Sequence, residues 1–235
     1  MPNVLITGAN RGVGLELARQ YCDEGWRVTA FVRNSSDGLD DVAARGSVQI
    51  VKADLTDDAE LKRAVDEVEV DSLDLLINNA GMMGAPKNIG TNLALQPFGA
   101  FDRDEWHEVF DINVFTPLAL TELLFDKLRR ADNPVVAMMS SQLGSIENNL
   151  SGGLYVYRAS KTAVNAIMKS LAINLKDDGI TSVSLHPGWV KTDMGGPNAQ
   201  VPVSMSASGL RGVLSKLSLK DSGRFIAFDG ADLPY

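Results

Sequence analysis

Apolar and amphipathic segments alternate along the whole of this chain. Short apolar runs, each of the length expected for a buried strand, occupy residues 3–6, 27–32, 48–51, 73–77, 135–139 and 181–185. Between them, apolar residues recur every three to four positions, which predicts helices, including one long helix over 104–130 and another from Tyr157 to Leu175. This β-α-β alternation predicts an α/β fold with a single doubly wound parallel sheet and helices on both faces.

Composition narrows the class of protein. A length of 235 residues favours one domain over 1–235, and a net charge of −8 argues against a nucleic-acid partner. The single cysteine, Cys22, excludes an internal disulfide. No signal peptide and no apolar stretch of membrane-spanning length is visible. We therefore expect a cytoplasmic protein with no membrane partner.

Three glycines follow the first predicted strand and precede the first predicted helix. In this context Gly8 permits a tight turn, Gly12 lets the backbone approach a pyrophosphate, and Gly14 lets the helix pack close to the strand. The pyrophosphate would lie at the helix N-terminus, where unpaired N–H groups favour anions. The pattern predicts a dinucleotide site.

The residue after the second strand indicates which dinucleotide binds. NAD-binding domains usually place an acid there, against the ribose 2′-hydroxyl. This chain has Arg33 instead, with no carboxylate until Asp37, and Arg11 in the glycine loop could reach the same group. Both arginines could instead be solvated surface residues. We favour NADP(H) over NAD(H), because two cations suit a 2′-phosphate.

A tyrosine and a lysine four residues apart form the main candidate for catalysis. On a helix, Tyr157 and Lys161 would share one face with Cβ atoms about 5–6 Å apart. A nearby ammonium group stabilises a phenolate and lowers its pKa toward the range used in acid–base catalysis. The alternative is a chance pairing of a solvated lysine with a half-buried tyrosine. Asn113, in an apolar helical stripe, is either hydrogen-bonded for structure or functional.

The chain resembles the short-chain dehydrogenase/reductase family over its full length. The matching motifs are Thr7-Gly-x-x-x-Gly-x-Gly14, Asp54, Asn78-Asn-Ala-Gly81, Asn113, Ser141, Tyr157-x-x-x-Lys161 and Pro187-Gly188. Within the family it is most similar to the branch of C-factor-like proteins and sniffer-type carbonyl reductases. That similarity rests on the loop 9–12, the run 184–196 and the ending 228–230. The resemblance implies a Rossmann fold.

The resemblance also implies a role for each site residue. Tyr157 would be the general acid/base, Lys161 would lower its pKa and bind the nicotinamide ribose, and Ser141 would hold the substrate carbonyl. Asn113 would hold a water that connects Lys161 to solvent. The implied cofactor-binding residues are Gly8, Asn10, Arg11, Gly12, Val13, Gly14, Arg33, Asp54, Leu55, Asn79, Ala80, Gly81, Tyr157, Lys161, Pro187, Gly188, Val190 and Thr192.

Other features bear on substrate and partners. His107 and His186 are isolated from other ligand-type residues in the sequence, so we predict no metal site. The loops 82–99 and 142–156 and a small C-terminal lid at about 193–219 would set substrate choice. The family resemblance further implies a homodimer or homotetramer.

Three functions compete. The first is an NADP-dependent carbonyl reductase that acts on a small or medium aldehyde or ketone. The second is a C-factor-like signalling or regulatory protein that binds the dinucleotide with little or no turnover. The third, a sugar-nucleotide epimerase, is disfavoured because 235 residues leave no room for an appended substrate domain.

Overall fold

The computed structural model describes residues 1–84 and 98–235. The remaining residues, 85–97, make up most of the predicted substrate loop, which therefore lies largely outside the described residues. The strands are β1 Asn3–Thr7, β2 Arg27–Val32, β3 Val48–Lys52, β4 Leu75–Asn78, β5 Val135–Met139, β6 Thr181–His186 and β7 Phe225–Ala227. The helices are α1 Gly12–Asp23, α2 Asp37–Ala43, α3 Asp58–Asp66, α4 Arg103–Phe110, α5 Thr116–Leu123, α6 Phe125–Leu128, α7 Tyr155–Asn174 and α8 Val203–Leu214.

All the described strands pair in parallel in one sheet, in the order β3-β2-β1-β4-β5-β6-β7. The predicted doubly wound parallel sheet is thereby confirmed. The strand order reverses between β1 and β4, and in open α/β sheets ligands bind beyond the carboxyl ends of the strands at such a point. The strand β7 was not predicted, since three residues are too few to show a periodicity.

Alternate residues of each central strand are buried against opposite layers of helices. In β1, Val4 and Ile6 belong to the same core cluster as Leu17 of α1, whereas Leu5 belongs to a cluster with Leu61 of α3. All of these side chains are fully or almost fully buried. Burial on both faces explains why the central strands are continuous apolar runs and not alternating ones.

The prediction of one long helix over 104–130 is wrong. The α-helical pattern stops at Phe110, and a π-helical turn occupies Asp111–Phe115. Helix α5 then begins with Pro117 in its first turn, a position where the missing N–H is not needed. A second break at Leu124 separates α5 from α6. Apolar periodicity continues across these breaks, so it does not reveal them.

The local cap residues explain other boundaries. Helix α2 was not predicted, although Ser36 caps it by accepting a hydrogen bond from the Leu39 amide at 3.2 Å. Asp57 caps α3 by accepting hydrogen bonds from the amides of Ala59 and Glu60, both at 2.9 Å. The chain leaves α1 through Gly25, whose φ of 80° suits glycine.

The segment predicted as a lid has two parts. Residues 193–198 line the large cleft described below. Helix α8 packs on α1 instead, with Leu210 buried, Arg211 donating to Gln20 at 3.0 Å, and an ion pair between Arg211 and Glu24. Movement of this segment stays a prediction. Among the described residues, no helix has the length and apolar character needed to cross a membrane.

A substitution at Gly14 tests whether α1 packs closely against the end of β1. A Cβ atom there would lie 2.5 Å from Asn79 Nδ2 and closer still to the Gly8 carbonyl oxygen. We expect Gly14→Ala to lower the free energy of unfolding by roughly 1–3 kcal/mol, as overpacking does, measured by denaturant titration. The control is Gly212→Ala in α8, where an added Cβ meets nothing within 4 Å. It should be neutral or stabilising by up to about 1 kcal/mol, and equal losses in both variants would contradict the packing argument.

Candidate active site

A cleft of about 1750 Å³ opens at the carboxyl ends of the strands, where the strand order reverses. It runs from the glycine loop to the N-terminal turns of α7. All the predicted cofactor-binding residues line it, as do Ser141, Tyr157 and Lys161. Asn113 does not line it. The volume exceeds the 300–1,000 Å³ typical of drug-sized ligands, so it suits a larger molecule plus a substrate.

The glycine loop is tied to the end of β4 by side-chain hydrogen bonds. Asn79 Nδ2 donates to the carbonyl oxygens of Thr7 at 2.9 Å and Gly8 at 3.2 Å. In return, Thr7 Oγ1 accepts from the amides of Asn79 and Ala80, both at 2.9 Å. Sequence reasoning placed Thr7 in the loop motif without assigning it this function. These bonds fix the position of the glycine loop relative to the end of β4, and both segments line the cleft.

The N-terminus of α1 is open to an anion. Its cap residue, Arg11, makes no side-chain hydrogen bond to the first turn, so the amides of Gly12 to Gly14 keep their unpaired N–H groups. Gly12 has a φ of 56°, a conformation that side chains with a Cβ rarely adopt. Unpaired amides at the positive end of a helix dipole fit the pyrophosphate of a dinucleotide.

The two predicted phosphate-binding arginines differ in their surroundings. Arg33 lines the cleft just beyond β2, and its charge helps to lower the pKa of Asp54, which is lowered mainly by hydrogen bonds from Thr56. Arg11 instead forms an exposed ion pair with Asp193, with Nη1 2.9 Å from the carboxylate. Of the two, Arg33 is the cation without a carboxylate partner at hydrogen-bonding distance among the described residues.

Tyr157 and Lys161 are both almost completely buried at the other end of the cleft. Lys161 Nζ donates to the Met139 carbonyl oxygen at 2.7 Å and lies 5.8 Å from the centre of the Tyr157 ring. Burial lowers the pKa of Lys161 to about 8. Burial also raises the pKa of Tyr157, and hydrogen bonding with Ser141 opposes that rise. Desolvation therefore outweighs the predicted lowering of the phenol pKa in the protein alone.

Asn113 is held inside the π-helical turn by hydrogen bonds. Its Oδ1 accepts from the Met82 amide and its Nδ2 donates to the Met82 carbonyl oxygen, both at 2.8 Å. Nδ2 also donates to Ser160 Oγ at 3.0 Å. Asn113 thus joins the chain after β4 to helix α7 and fixes the position of Tyr157 and Lys161 through Ser160. π-helical turns are frequent at functional sites.

His186 positions the loop that follows Ser141. Its Nδ1 accepts a hydrogen bond from the Gln142 amide at 3.2 Å, and burial lowers its pKa to about 4. The imidazole is therefore neutral at physiological pH and able to accept. This contact gives His186 a structural role in holding the loop after Ser141. Among the described residues, no group of three histidine, cysteine, aspartate or glutamate side chains is arranged to hold a metal.

The fold and the cleft together define a class of protein. A doubly wound parallel sheet, a glycine loop at its switch point, and a buried Ser141, Tyr157 and Lys161 in one cleft are the parts of a dinucleotide-dependent oxidoreductase site. A family model for short chain dehydrogenases matches residues 2–201. The chain belongs to the short-chain dehydrogenase family of oxidoreductases.

Similar proteins include one named C-signal and two carbonyl reductases. The C-signal protein of Myxococcus xanthus is 37% identical over 163 residues, which cover 69% of this chain and 93% of that protein. The structure of the carbonyl reductase Sniffer of D. melanogaster matches with a TM-score of 0.90 and 34% identity, covering 100% of both chains. An NADPH-bound carbonyl reductase from chicken fatty liver matches with a TM-score of 0.87 and 31% identity, over 100% of this chain and 99% of that one.

The buried ammonium group predicts a specific pH dependence of stability. Because burial lowers the pKa of Lys161 from its ordinary value of 10.5 to about 8 in the folded protein, the unfolded chain binds more protons between these pH values. The free energy of unfolding of the native protein, relative to Lys161→Met, should therefore rise by about 2 kcal/mol between pH 8 and pH 10. Denaturant titrations of both proteins at each pH would measure it. A difference that stays flat or falls over this range would contradict the lowered pKa of the buried Lys161.

Proposed function

We propose that this protein is an NADP-dependent carbonyl reductase that reduces a small or medium aldehyde or ketone to the alcohol. The observation that carries the proposal is the buried set of Ser141, Tyr157 and Lys161 in the same cleft as the glycine loop. A protein that only bound the nucleotide would have no need of these three side chains together. The similarity to carbonyl reductases over the full length supports the reaction class.

NADP(H) is the proposed cofactor. The uncapped amides at the start of α1 suit the pyrophosphate, and Arg33 suits a 2′-phosphate. Similarity to the NADPH-bound chicken enzyme supports the same choice. When bound, NADPH supplies a hydride to the carbonyl carbon.

The residues of the chain supply the rest of the reaction. Tyr157 donates the phenolic proton to the carbonyl oxygen, so hydride and proton together yield the alcohol. Ser141 donates a hydrogen bond to the same oxygen and holds it toward the phenol. Lys161, with its low pKa, stabilises the phenolate that remains and returns a proton to it. Asn113 positions this set through its hydrogen bond to Ser160, and we propose that it also holds a water that connects Lys161 to solvent.

The alternative function is a signalling role with little or no turnover. Its support is the similarity to C-signal, which covers two thirds of this chain. A protein with Ser141, Tyr157 and Lys161 in place could also have a signalling role, so a measurement of turnover distinguishes the reductase from a signalling protein without activity.

We further propose that the protein works as a homodimer or homotetramer in the cytoplasm, without nucleic-acid or membrane partners. Phe115, Leu123 and Ile173 on or beside α5 and α7 are 55%, 41% and 68% exposed. Exposed apolar side chains of this kind on neighbouring helices support pairing between subunits.

Replacing the phenol tests the chemistry. Tyr157→Phe should lower kcat/KM for aldehyde reduction by at least about 100-fold, the usual contribution of a positioned general acid, while NADPH still binds. Loss of NADPH absorbance with a panel of aldehydes, ketones and quinones measures turnover, and NADPH fluorescence measures binding. Tyr155→Phe, at an exposed tyrosine two residues earlier, should behave as the native protein. NADPH binding by the native protein without turnover on any compound would favour the signalling role.

Replacing the cleft arginine tests the cofactor. Arg33→Gln should raise the KM for NADPH by about tenfold or more, the scale of a lost charged hydrogen bond, and change the KM for NADH little. Arg11→Gln should have a smaller effect, because Arg11 is paired with Asp193. A native protein that prefers NADH would show that neither arginine recognises a phosphate.

A further inference from the structure

A second buried cation lies beside the catalytic tyrosine and has no part in the proposed reaction. Arg158 is 9% exposed and lines the cleft together with Gln142, Asn148 and Ser151 of the loop between β5 and α7. Its Nη2 donates to Ser151 Oγ at 2.9 Å, and its Nη1 donates to the Leu143 carbonyl oxygen at 3.4 Å. Its buried Nε has no hydrogen-bond partner. A guanidinium has five N–H donors, so most of its capacity is unused.

The charge of Arg158 is also unpaired. Within residues 1–84 and 98–235, no aspartate or glutamate forms an ion pair with it, and the sequence of 85–97 contains neither residue type. Arg211 makes the contrast clear, since its Nε is likewise buried without a partner but its charge is paired with Glu24. Buried charges in proteins are normally paired. An unpaired guanidinium at a cleft is therefore a place where a ligand can supply the missing anion.

Arg11, Arg33 and Lys191 also line the cleft, but these three cations are exposed, so Arg158 and Lys161 are the buried cations among its described lining residues. The carboxylates Glu108 and Asp111 line the same cleft. His186 is neutral at physiological pH, because burial lowers its pKa to about 4. Lys161 is bonded to the Met139 carbonyl oxygen and is committed to the reaction.

We infer that Arg158 is the centre of an anion subsite, so that the preferred substrate is a carbonyl compound with a carboxylate at a second position. This inference rests on the proposed function and names its substrate class. Arg158 lines the same cleft as Ser141 and Tyr157 and is bonded to the loop 142–151, which begins directly after Ser141, and this places the subsite on the substrate side of the cleft. A carboxylate can accept two parallel hydrogen bonds from a guanidinium, which fixes its orientation as well as its charge.

The experiment compares matched substrates that differ only in charge. The pairs are 3- and 4-carboxybenzaldehyde, each against its methyl ester, and the quantity measured is the ratio of kcat/KM for the acid to that for the ester. The native protein should prefer the acid in at least one pair. Arg158→Gln should lower that ratio by about tenfold or more, the scale of a hydrogen bond to a charged group. Arg158→Lys, which keeps the charge, should retain part of the preference.

A purely structural role for Arg158 is tested by Ser151→Ala. This variant removes the 2.9 Å bond that joins Arg158 to the loop and leaves the charge in place, so the ratio should stay close to the native value. An equal fall of the ratio in Ser151→Ala and Arg158→Gln, or no preference for the acid in either pair, would overturn the inference. Turnover of esters without such a preference would leave the proposed reductase function standing.

A binding measurement covers the case in which no compound is turned over. Calorimetry with terephthalate and isophthalate, and with their monomethyl esters, needs no reaction. One of the dicarboxylates should bind more tightly than its ester, and Arg158→Gln should remove that difference. Absence of turnover with this binding pattern would contradict the reductase and support the subsite. Equal binding of each pair, or no binding, would overturn the subsite.

Discussion

The structure depends on the hydrogen bonds that join β1 to β4 where the strand order reverses. Thr7 and Asn79 exchange side-chain and backbone bonds across this junction, and each bond is 2.9 Å long except the one to Gly8. Parallel strands separated by many residues have no tight turn to fix their ends. The side chains supply that constraint instead. Asn79 stabilises the glycine loop by donating to the carbonyl oxygens of Thr7 and Gly8, and the amides at the start of α1 stay available for a phosphate.

The end of the cleft that contains Tyr157 and Lys161 is held by side-chain hydrogen bonds from a different element. Asn113 bonds to both backbone groups of Met82 and to Ser160, so one side chain joins the segment after β4 to α7. The π-helical turn gives that side chain its position, at the cost of a regular helix. Burial lowers the pKa of Lys161 and raises the pKa of Tyr157, because it disfavours the charged form of each group. The phenol of Tyr157 therefore keeps its proton at physiological pH, which is the protonation state that the proposed role as general acid requires.

Much of this arrangement could be predicted from the sequence, because period and spacing are local properties. The strand β5 was predicted with the observed bounds, and the residues of the glycine loop meet Tyr157 and Lys161 in one cleft. The break of the helix at Asn113 could not be predicted, since a π-helical turn keeps the apolar stripe almost intact. The ion pair between Arg11 and Asp193 could not be predicted either, because the two residues are 182 positions apart and only the fold brings them together. Whether desolvation or a nearby charge has the larger effect on the pKa of Tyr157 depends on how deeply the phenol is buried. The spacing of two residues along the chain does not give that depth.

The distribution of charge links these findings. The chain carries a net charge of −8, yet five arginine and lysine side chains line the cleft: Arg11, Arg33, Arg158, Lys161 and Lys191. Four carboxylates line it as well: Asp54, Glu108, Asp111 and Asp193. Arg11 is paired with Asp193, whereas Arg33 and Arg158 form no ion pair within residues 1–84 and 98–235. Charges in a low-dielectric cleft are screened less than exposed ones. An anion in the cleft therefore meets an unpaired cation at two places, at Arg33 beside the glycine loop and at Arg158 in α7. Net charge thus bears on nucleic-acid binding but says nothing about which small anions the cleft accepts.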